Sequence, residues 1–250
     1  MPDTRSATDP AAARTKLAGA DEEILVECVN VAHTYRSGRT AVVAVHDVNA
    51  LITSCTRVAL TGPSGSGKST LLHMMASLVP ATTGTLNWPR WGKDPLCTSG
   101  RIGIVFQGPS LLPALTVIEN IAFPLLLADV SDRAAQKRAV EALKVLGLMD
   151  LADQLPHTLS GGQAQRVAIA RVLASGPELI LADEPTGQLD HRAAALVVDV
   201  LLRASEELGA ALVISTHDPV IAGRLPEQWT MSDGRMLVPG AELLAPGVAS

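Results

Sequence analysis

Short apolar runs alternate with longer amphipathic stretches along most of this 250-residue chain. Short runs rich in Val, Ile, Leu and Ala are typical of strands, whereas apolar residues recurring every three or four positions indicate helices. The pattern predicts strands at Glu23–Val29, Ala41–Leu51, Arg57–Leu60, Ile102–Phe106, Leu179–Ala182 and Ala211–Ser215. It predicts helices at Ser69–Leu78, Asp132–Leu146, Gln163–Ala174 and Arg192–Leu208, and a closing hairpin over Trp229–Val238 that turns at Asp233-Gly234.

Strands bounded by helices indicate an α/β fold with a parallel sheet covered on both faces. The stretch from about 108 to 162 is mostly helical and interrupts this alternation, so we expect a helical insertion into the sheet. Residues 1–20 have no apolar period and are predicted to be a disordered tail, and residues 241–250 a loose C-terminal tail. One folded domain, residues 21–240, lies between them.

Composition narrows the class of protein. Hydrophobic residues make up 47% of the chain and aromatic residues only 2%, which predicts an aliphatic core. The net charge of −5 and the absence of a basic stripe argue against a nucleic-acid partner. The three cysteines, Cys28, Cys55 and Cys97, have no metal-ligand spacing and are expected to be reduced thiols. No apolar run is long enough to span a bilayer and no signal core is visible, so we expect a cytoplasmic protein.

A glycine-rich loop carries the first chemical signal. It follows the predicted strand at Arg57–Leu60, opens a predicted helix, and fits the pattern G-x-x-x-x-G-K-[ST]. Such a loop turns backbone N–H groups toward phosphate oxygens, and the helix adds its positive N-terminal end. The predicted phosphate-binding residues are Gly62, Pro63, Ser64, Gly65, Ser66, Gly67, Lys68, Ser69 and Thr70. Within this loop, Lys68 would contact the β- and γ-phosphates and the hydroxyl of Ser69 would bind Mg²⁺.

Two adjacent carboxylates, Asp183 and Glu184, end the apolar run that begins at Leu179. Neighbouring side chains on a strand point in opposite directions, so the two can do different work. Asp183 is the candidate ligand for Mg²⁺, and Glu184 is the candidate base that polarises a water for attack on the γ-phosphorus. Taken alone, an acidic pair at a strand end is also typical of a solvated turn.

The sequence Leu159-Ser160-Gly161-Gly162-Gln163 resembles the LSGGQ motif of ABC ATPases. In physical terms, Ser160 can cap the helix that follows, and the two glycines leave room for an anion; a simple helix cap is the alternative. The resemblance extends from about Ile24 to Val238 and implies a P-loop NTPase fold with a parallel-sheet core. It also implies an antiparallel β subdomain and an inserted α-helical subdomain within one ABC ATPase domain. ATP and Mg²⁺ are the implied cofactors.

Other positions match the family in the expected order. Tyr35, the only tyrosine, looks like the aromatic residue that stacks on adenine, although an exposed tyrosine near a turn is an open alternative. Gln107 resembles the glutamine that senses Mg²⁺ and the attacking water, and Asp190 resembles the aspartate of the loop that crosses the dimer interface. His217 resembles the switch histidine that contacts the γ-phosphate. The resemblance thus implies Glu184, His217, Gln107 and Lys68 as catalytic residues.

The resemblance implies partners as well. In the family, the phosphate loop of one subunit and the LSGGQ motif of another close on the same ATP, so we expect a homodimer or a pair with a paralogous ATPase. A separate integral membrane permease would hold the chain at the cytoplasmic face of the membrane. The apolar segment at 106–120 is a candidate docking surface for that permease, or ordinary helical core, or both.

The eight residues from Asp183 to Asp190 read DEPTGQLD and resemble the DEPTGNLD of the lipoprotein-releasing, macrolide-exporting and cell-division branch. Gln188 in place of Asn and Ala164 in place of a Gln-like residue depart from that pattern. A polar-solute importer, and a module that controls an extracytoplasmic enzyme without transport, remain alternatives. A catalytically dead scaffold is disfavoured because Lys68, Asp183, Glu184 and His217 are all present.

Overall fold

The computed structural model describes residues 22–38, 40–92 and 100–237. The predicted tails at 1–20 and 241–250 therefore lie outside the described residues, as does Cys97. Within the described part of the chain, no helix is both long and apolar enough to cross a membrane.

The described chain forms two sheets. The strands are β1 (Ile24–Ser37), β2 (Thr40–Thr53), β3 (Arg57–Thr61), β4 (Thr83–Asn87), β5 (Ile102–Val105), β6 (Leu179–Asp183), β7 (Ala211–Thr216), β8 (Glu227–Ser232) and β9 (Arg235–Leu237). The smaller sheet is antiparallel with the order β2-β1-β4, and the larger has the order β5-β6-β7-β3-β8-β9. Strands β5, β6, β7, β3 and β8 are parallel, and β9 adds an antiparallel edge. The predicted α/β class, with its parallel core and antiparallel β sheet, is confirmed.

Six α-helices connect or cover these strands in the described chain. They are α1 (Lys68–Met75), α2 (Val117–Leu127), α3 (Asp132–Val145), α4 (Gly161–Leu173), α5 (His191–Leu208) and α6 (Pro219–Ala222), with 3₁₀ turns at Met149–Leu151 and Pro156–Thr158. Helices α2 and α3 and both 3₁₀ turns lie between β5 and β6, within the stretch from about 108 to 162 where the helical insertion was expected, and α4 begins where that stretch ends. Helix α1 ends three residues earlier than predicted, because Ser77 has a φ of 61° and turns the chain away from helical geometry.

The parallel sheet is buried on both faces, as its nearly continuous apolar strands predict. In β6, Leu179 and Leu181 face a core shared with α1 and the antiparallel sheet. The alternate residues Ile180 and Ala182 face a second core, shared with α2 to α6. This arrangement leaves the carboxyl ends of the strands as the edge where polar residues collect.

Candidate nucleotide-binding site

The glycine-rich loop joins β3 to α1 at the carboxyl edge of the parallel sheet. Two of its glycines leave no room for a side chain. Gly62 has a φ of 143°, and a Cβ there would lie 2.2 Å from the Met231 carbonyl oxygen; Gly67 has a φ of 99°, and its Cβ would lie 2.2 Å from the Ala44 carbonyl oxygen. The loop backbone therefore packs directly on β8 and β2, which fixes the path that its N–H groups follow.

Lys68 lies under this loop and is 4% exposed. Its Nζ donates to the carbonyl oxygens of Gly62 at 2.9 Å and Pro63 at 3.0 Å. Nζ also lies 3.6 Å from Glu184 Oε1. A buried ammonium group needs such partners, and here they hold its charge at the mouth of the loop, where phosphate oxygens would bind.

Asp183, the last residue of β6, accepts two hydroxyl hydrogen bonds on one oxygen. Ser69 Oγ donates to Asp183 Oδ1 at 2.9 Å, and Ser215 Oγ donates to the same oxygen at 2.6 Å. The Ser69 hydroxyl and the Asp183 carboxylate are hard oxygen ligands side by side, which is the donor set that Mg²⁺ prefers when phosphates supply further oxygens. No group of three or more His, Cys, Asp or Glu residues among the described ranges could hold a metal without such help.

Glu184 follows Asp183 with a φ of 41°, a left-handed conformation that is unusual for a residue other than glycine. Its backbone N–H donates to Ser215 Oγ at 2.9 Å, which holds this conformation. The turn sends the Glu184 carboxylate away from Asp183, so that Oε2 lies 3.4 Å from His217 Nδ1. The two carboxylates thus have separate surroundings. Strand alternation was the expected cause, but β6 ends at Asp183, and the left-handed turn at Glu184 separates the two side chains instead.

Gln107 reaches the same space from the end of β5. A Cβ on Gly187 would lie 3.4 Å from Gln107 Nε2 and 3.5 Å from Glu184 Oε2. Because Gly187 has no side chain, the Gln107 amide and the Glu184 carboxylate have room to lie close to each other. The structure brings Lys68, Ser69, Gln107, Asp183, Glu184 and His217 together in one cluster.

Tyr35 lies on β1 beside this cluster. Its hydroxyl is 3.5 Å from Thr70 Oγ1, at the start of α1, and its side chain is about half exposed. The ring meets the edge of the His33 ring with a centroid distance of 4.4 Å, and His33 Nδ1 lies 2.8 Å from the Pro80 carbonyl oxygen. Tyr35 thus lies next to the phosphate loop, and its stacking on adenine stays a prediction.

The LSGGQ motif lies elsewhere in the chain. Ser160 Oγ accepts a hydrogen bond from the Gln163 N–H at 3.3 Å, and Gln163 Oε1 accepts one from the Ser160 N–H at 2.8 Å. This reciprocal pair is a capping box at the start of α4. A Cβ on Gly161 would meet nothing within 4 Å, whereas one on Gly162 would lie 3.3 Å from Ala193 Cβ. Gly161 is therefore open to the outside, and Gly162 serves packing against α5 within the chain.

Asp190 caps α5, because its Oδ1 accepts the Ala193 N–H at 2.8 Å. Helix α4 packs against β5, the edge strand of the parallel sheet, which is three strands away from β3. Three strand spacings correspond to about 14 Å. In the described part of the chain, the side-chain hydrogen bonds of Ser160 and Gln163 stay within the motif, and Gly162 faces Leu189 and Ala193. None of these contacts is to Lys68 or to its partners Gly62, Pro63 and Glu184.

Some residues at the site carry no motif. Ser215 touches both carboxylate positions and is fully buried. His73 Nε2 lies 4.0 Å from Asp183 Oδ2, the oxygen that the two serine hydroxyls do not contact. The sequence signals for these two residues are weak. Ser215 is a polar residue at the end of an apolar strand, two positions before His217. His73 lies one helical turn after Ser69 on α1.

Comparison with known proteins identifies the family. A sequence profile described as ABC transporter matches residues 45–187. The lipoprotein-releasing system ATP-binding protein LolD of Legionella pneumophila, in strains Lens and Paris, is 38% identical over 221 residues, covering 86% of this chain and 97% of the relative.

Two solved structures have the same fold. The ATP-binding cassette MJ0796, in a dimeric post-hydrolysis state bound to ADP and Pi, is 36% identical with a TM-score of 0.76, covering 86% of this chain and 98% of that one. CbiO1 of Clostridium perfringens, part of the ABC transporter complex CbiONQ, is 30% identical with a TM-score of 0.75, covering 87% and 88%. The chain therefore belongs to the ABC transporter ATP-binding subunits, and it is a transport-coupled ATPase that binds and hydrolyses ATP.

Proposed function

We propose that two copies of this chain close head to tail around two ATP molecules, and that closure and hydrolysis drive a separate membrane permease. Each ATP would lie between the phosphate loop of one copy and the LSGGQ motif of the other. A paralogous ATPase in place of the second copy would give the same geometry.

One observation carries this proposal. The motif begins a helix whose first residue, Gly161, is exposed and has open space where a side chain would be. Helix α4 lies against the edge strand β5, which is three strands away from β3 and the phosphate loop that follows it. Backbone N–H groups at a helix start favour an anion, and we infer that here the phosphates belong to a nucleotide held by another molecule. MJ0796, which shares the fold, is itself dimeric with ADP and Pi bound.

Within one closed site, the residues have distinct roles. Lys68, together with the loop N–H groups, binds the β- and γ-phosphates, and the exposed face of Tyr35 supports the adenine. Ser69 and Asp183 would hold Mg²⁺, which neutralises the charge that develops on the phosphate oxygens.

Glu184 Oε2 accepts a proton from the attacking water, and the neighbouring His217 and Gln107 orient that water and the γ-phosphate. The LSGGQ helix start of the second copy adds its donors to the same γ-phosphate, so hydrolysis requires closure.

The sequence of residues 183–190 and the 38% identity to LolD favour a permease of the lipoprotein-releasing or export type. The chain would then lie at the cytoplasmic face of the membrane, held by that permease. Several large apolar side chains on or near α2 are exposed and suit such docking: Leu112, Phe123, Leu126 and Leu127.

The test is Glu184→Gln, which keeps the shape of the side chain but removes the proton acceptor. We expect this variant to bind ATP, to hydrolyse it at least about 100-fold more slowly, and to elute as a dimer from a sizing column in ATP but not in ADP. Glu206→Gln, an exposed change of the same kind on α5, should behave like the unchanged chain. A Glu184→Gln chain that stays monomeric while saturated with ATP would contradict the closed dimer.

The role of the permease has its own test. In liposomes that contain the cognate permease, a transport ATPase should move substrate as ATP is consumed. ATP consumption with no transport, but with activation of an enzyme outside the membrane, would favour the control of an extracytoplasmic partner.

A further inference from the structure

Helix α4 reaches back to the segment that carries Gln107, here called the Gln107 segment (residues 106–110). Gln165 Nε2 donates to the Phe106 carbonyl oxygen at 3.1 Å. Nearly two turns later on the same helix, the Arg171 guanidinium donates to the Ser110 carbonyl oxygen at 2.9 Å and to that of Pro109 at 3.3 Å. The two side chains thus hold the backbone immediately before Gln107 and two to three residues after it.

These contacts are well suited to fix a backbone. Gln165 is 2% exposed, so its hydrogen bond is sheltered from water and costly to break. The planar guanidinium of Arg171 can bind two carbonyl oxygens at once, which a single ammonium group cannot do in the same geometry. Ser110, one of its two partners, has a φ of 47°, a left-handed conformation that needs support from its surroundings. Partial burial lowers the pKa of the Arg171 guanidinium.

We propose that Gln165 and Arg171 are positioning residues that fix Gln107 relative to the LSGGQ helix. The amide of Gln107 is then held in a fixed position relative to Ser160 and Gly161, at the start of that helix. When the LSGGQ end of α4 docks on the nucleotide of the second copy, the same contacts keep Gln107 beside Glu184 in the chain's own site. This inference rests on the proposed function, because it requires Gln107 to act on the reacting atoms.

A purely structural role is the competing explanation, since both side chains also join α4 to a loop. A double-mutant cycle separates the two. The single variants are Arg171→Lys, Gln165→Met and Gln107→Ala, and the doubles combine each of the first two with Gln107→Ala. Steady-state hydrolysis is measured at saturating Mg²⁺ and ATP, together with KM for ATP and the thermal unfolding midpoint.

If Gln165 and Arg171 act through Gln107, Arg171→Lys should lower kcat about tenfold while KM for ATP changes by less than about threefold. Gln165→Met, which keeps the length of the side chain without its donor, should do the same to a smaller degree. In the Gln107→Ala background neither substitution should slow hydrolysis further, because the group they position is gone. Arg138→Lys, an exposed change of the same kind on α3, is the matched control and should leave kcat unchanged.

Each result decides something. If Gln107→Ala is slow and the effects of Arg171→Lys and Gln165→Met multiply with it, the positioning role is wrong while the proposed catalytic role of Gln107 stands. If Gln107→Ala hydrolyses ATP at the normal rate, that catalytic role is wrong and the inference falls with it. Should Arg171→Lys lower the unfolding midpoint so far that the chain is not folded at the assay temperature, the Gln165→Met cycle distinguishes positioning from a purely structural role by itself.

Discussion

The phosphate-loop region and the LSGGQ region of this chain are stabilised in opposite ways. Around Lys68, functional side chains hold one another: Ser69 and Ser215 bind Asp183, and Lys68 and His217 flank Glu184. These contacts join residues far apart in sequence and are largely buried. At the LSGGQ motif, the capping box joins only Ser160 to Gln163, three residues away, and Gly161 faces outward.

The difference shows which groups are complete within one chain. The phosphate-loop region has its lysine, its carboxylates and its candidate metal ligands already arranged for a nucleotide, so it can bind one by itself. The LSGGQ region has only unused donors at the start of a helix, which become useful when an anion is brought to them. A chain of this kind should bind ATP alone but hydrolyse it only in a pair.

The strongest test of this difference is to substitute one residue in each region, in separate chains, and then to mix the two variants. Lys68→Ala should abolish tight ATP binding, because it removes the cation under the phosphate loop. Ser160→Arg should leave ATP binding by the single chain intact, because it lies outside that loop, yet stop hydrolysis by filling the space that the phosphates would enter. Either variant alone should lose at least about 100-fold in turnover, measured as phosphate release.

Mixed in equal amounts, the two inactive chains should regain activity. A pair with one of each has one site made from the intact phosphate loop of Ser160→Arg and the intact LSGGQ motif of Lys68→Ala. Because half of randomly formed pairs are mixed and each has one good site of two, up to about a quarter of the normal rate should return. A mixture as inactive as its components would contradict a catalytic site that is shared between two chains.

The sequence predicted the phosphate-loop region well because its residues are tied to fixed spacings. The loop at 62–69, the strand ending at Asp183 and the hairpin at Asp233-Gly234 all lie where they were expected. Strand β4 was not predicted, since four of its five residues are exposed and no apolar alternation marks it. It forms because Gly84, with a φ of 82°, lets the backbone pass against Asn30, where a Cβ would lie 2.2 Å from the Asn30 carbonyl oxygen.

Long-range contacts account for the rest of what the sequence did not show. Ser215 bridges Asp183 and Glu184 only because β6 and β7 are neighbours in the sheet, with Asp183 directly opposite Ser215. The separation of α4 from β3 likewise depends on strand order, which no local pattern states. Gly162 was expected to leave space for an anion, and the contact with Ala193 that gives it a packing role appears only once α5 lies beside α4.

A smaller expected effect concerns the stability of the sheet that supports the phosphate-loop region. Glu178, just before β6, accepts hydrogen bonds from Arg90, Trp91 and Arg101. Burial raises the pKa of this carboxyl, but the three hydrogen bonds and the charge of Arg101 outweigh it and lower the pKa below 4.5. A carboxyl whose pKa is depressed by folding stabilises the folded state above its unfolded pKa, and that stabilisation is lost as the pH falls through the folded value.

Glu178→Gln should therefore lower the free energy of unfolding by about 1 kcal/mol at pH 7, the range of a partly exposed ion pair. This difference in the free energy of unfolding should shrink as the pH falls below the pKa of Glu178 in the unfolded chain. Urea denaturation of both chains at pH 7 and at lower pH measures the difference and its change with pH. Gln136→Glu, a change in the reverse sense at an exposed position of α3, serves as the control for a surface charge. If Glu178→Gln loses as much free energy of unfolding at low pH as at pH 7, the charge of Glu178 is not what stabilises its contacts with Arg90, Trp91 and Arg101.

The smallest expected change in stability lies at the LSGGQ glycines, and there stability and function should move in opposite directions. Gly161 has an ordinary φ and open space around it, so Gly161→Ala should stabilise the helix start by about 0.5 kcal/mol. The same methyl group would stand where the phosphates of the second copy approach, so hydrolysis should fall about tenfold. Gly162→Ala is the matched control: its methyl group crowds Ala193 at 3.3 Å, so that variant should gain no stability. Thermal unfolding and phosphate release on the same samples measure both, and a Gly161→Ala chain that is more stable and fully active would mean that this face of α4 never meets a phosphate.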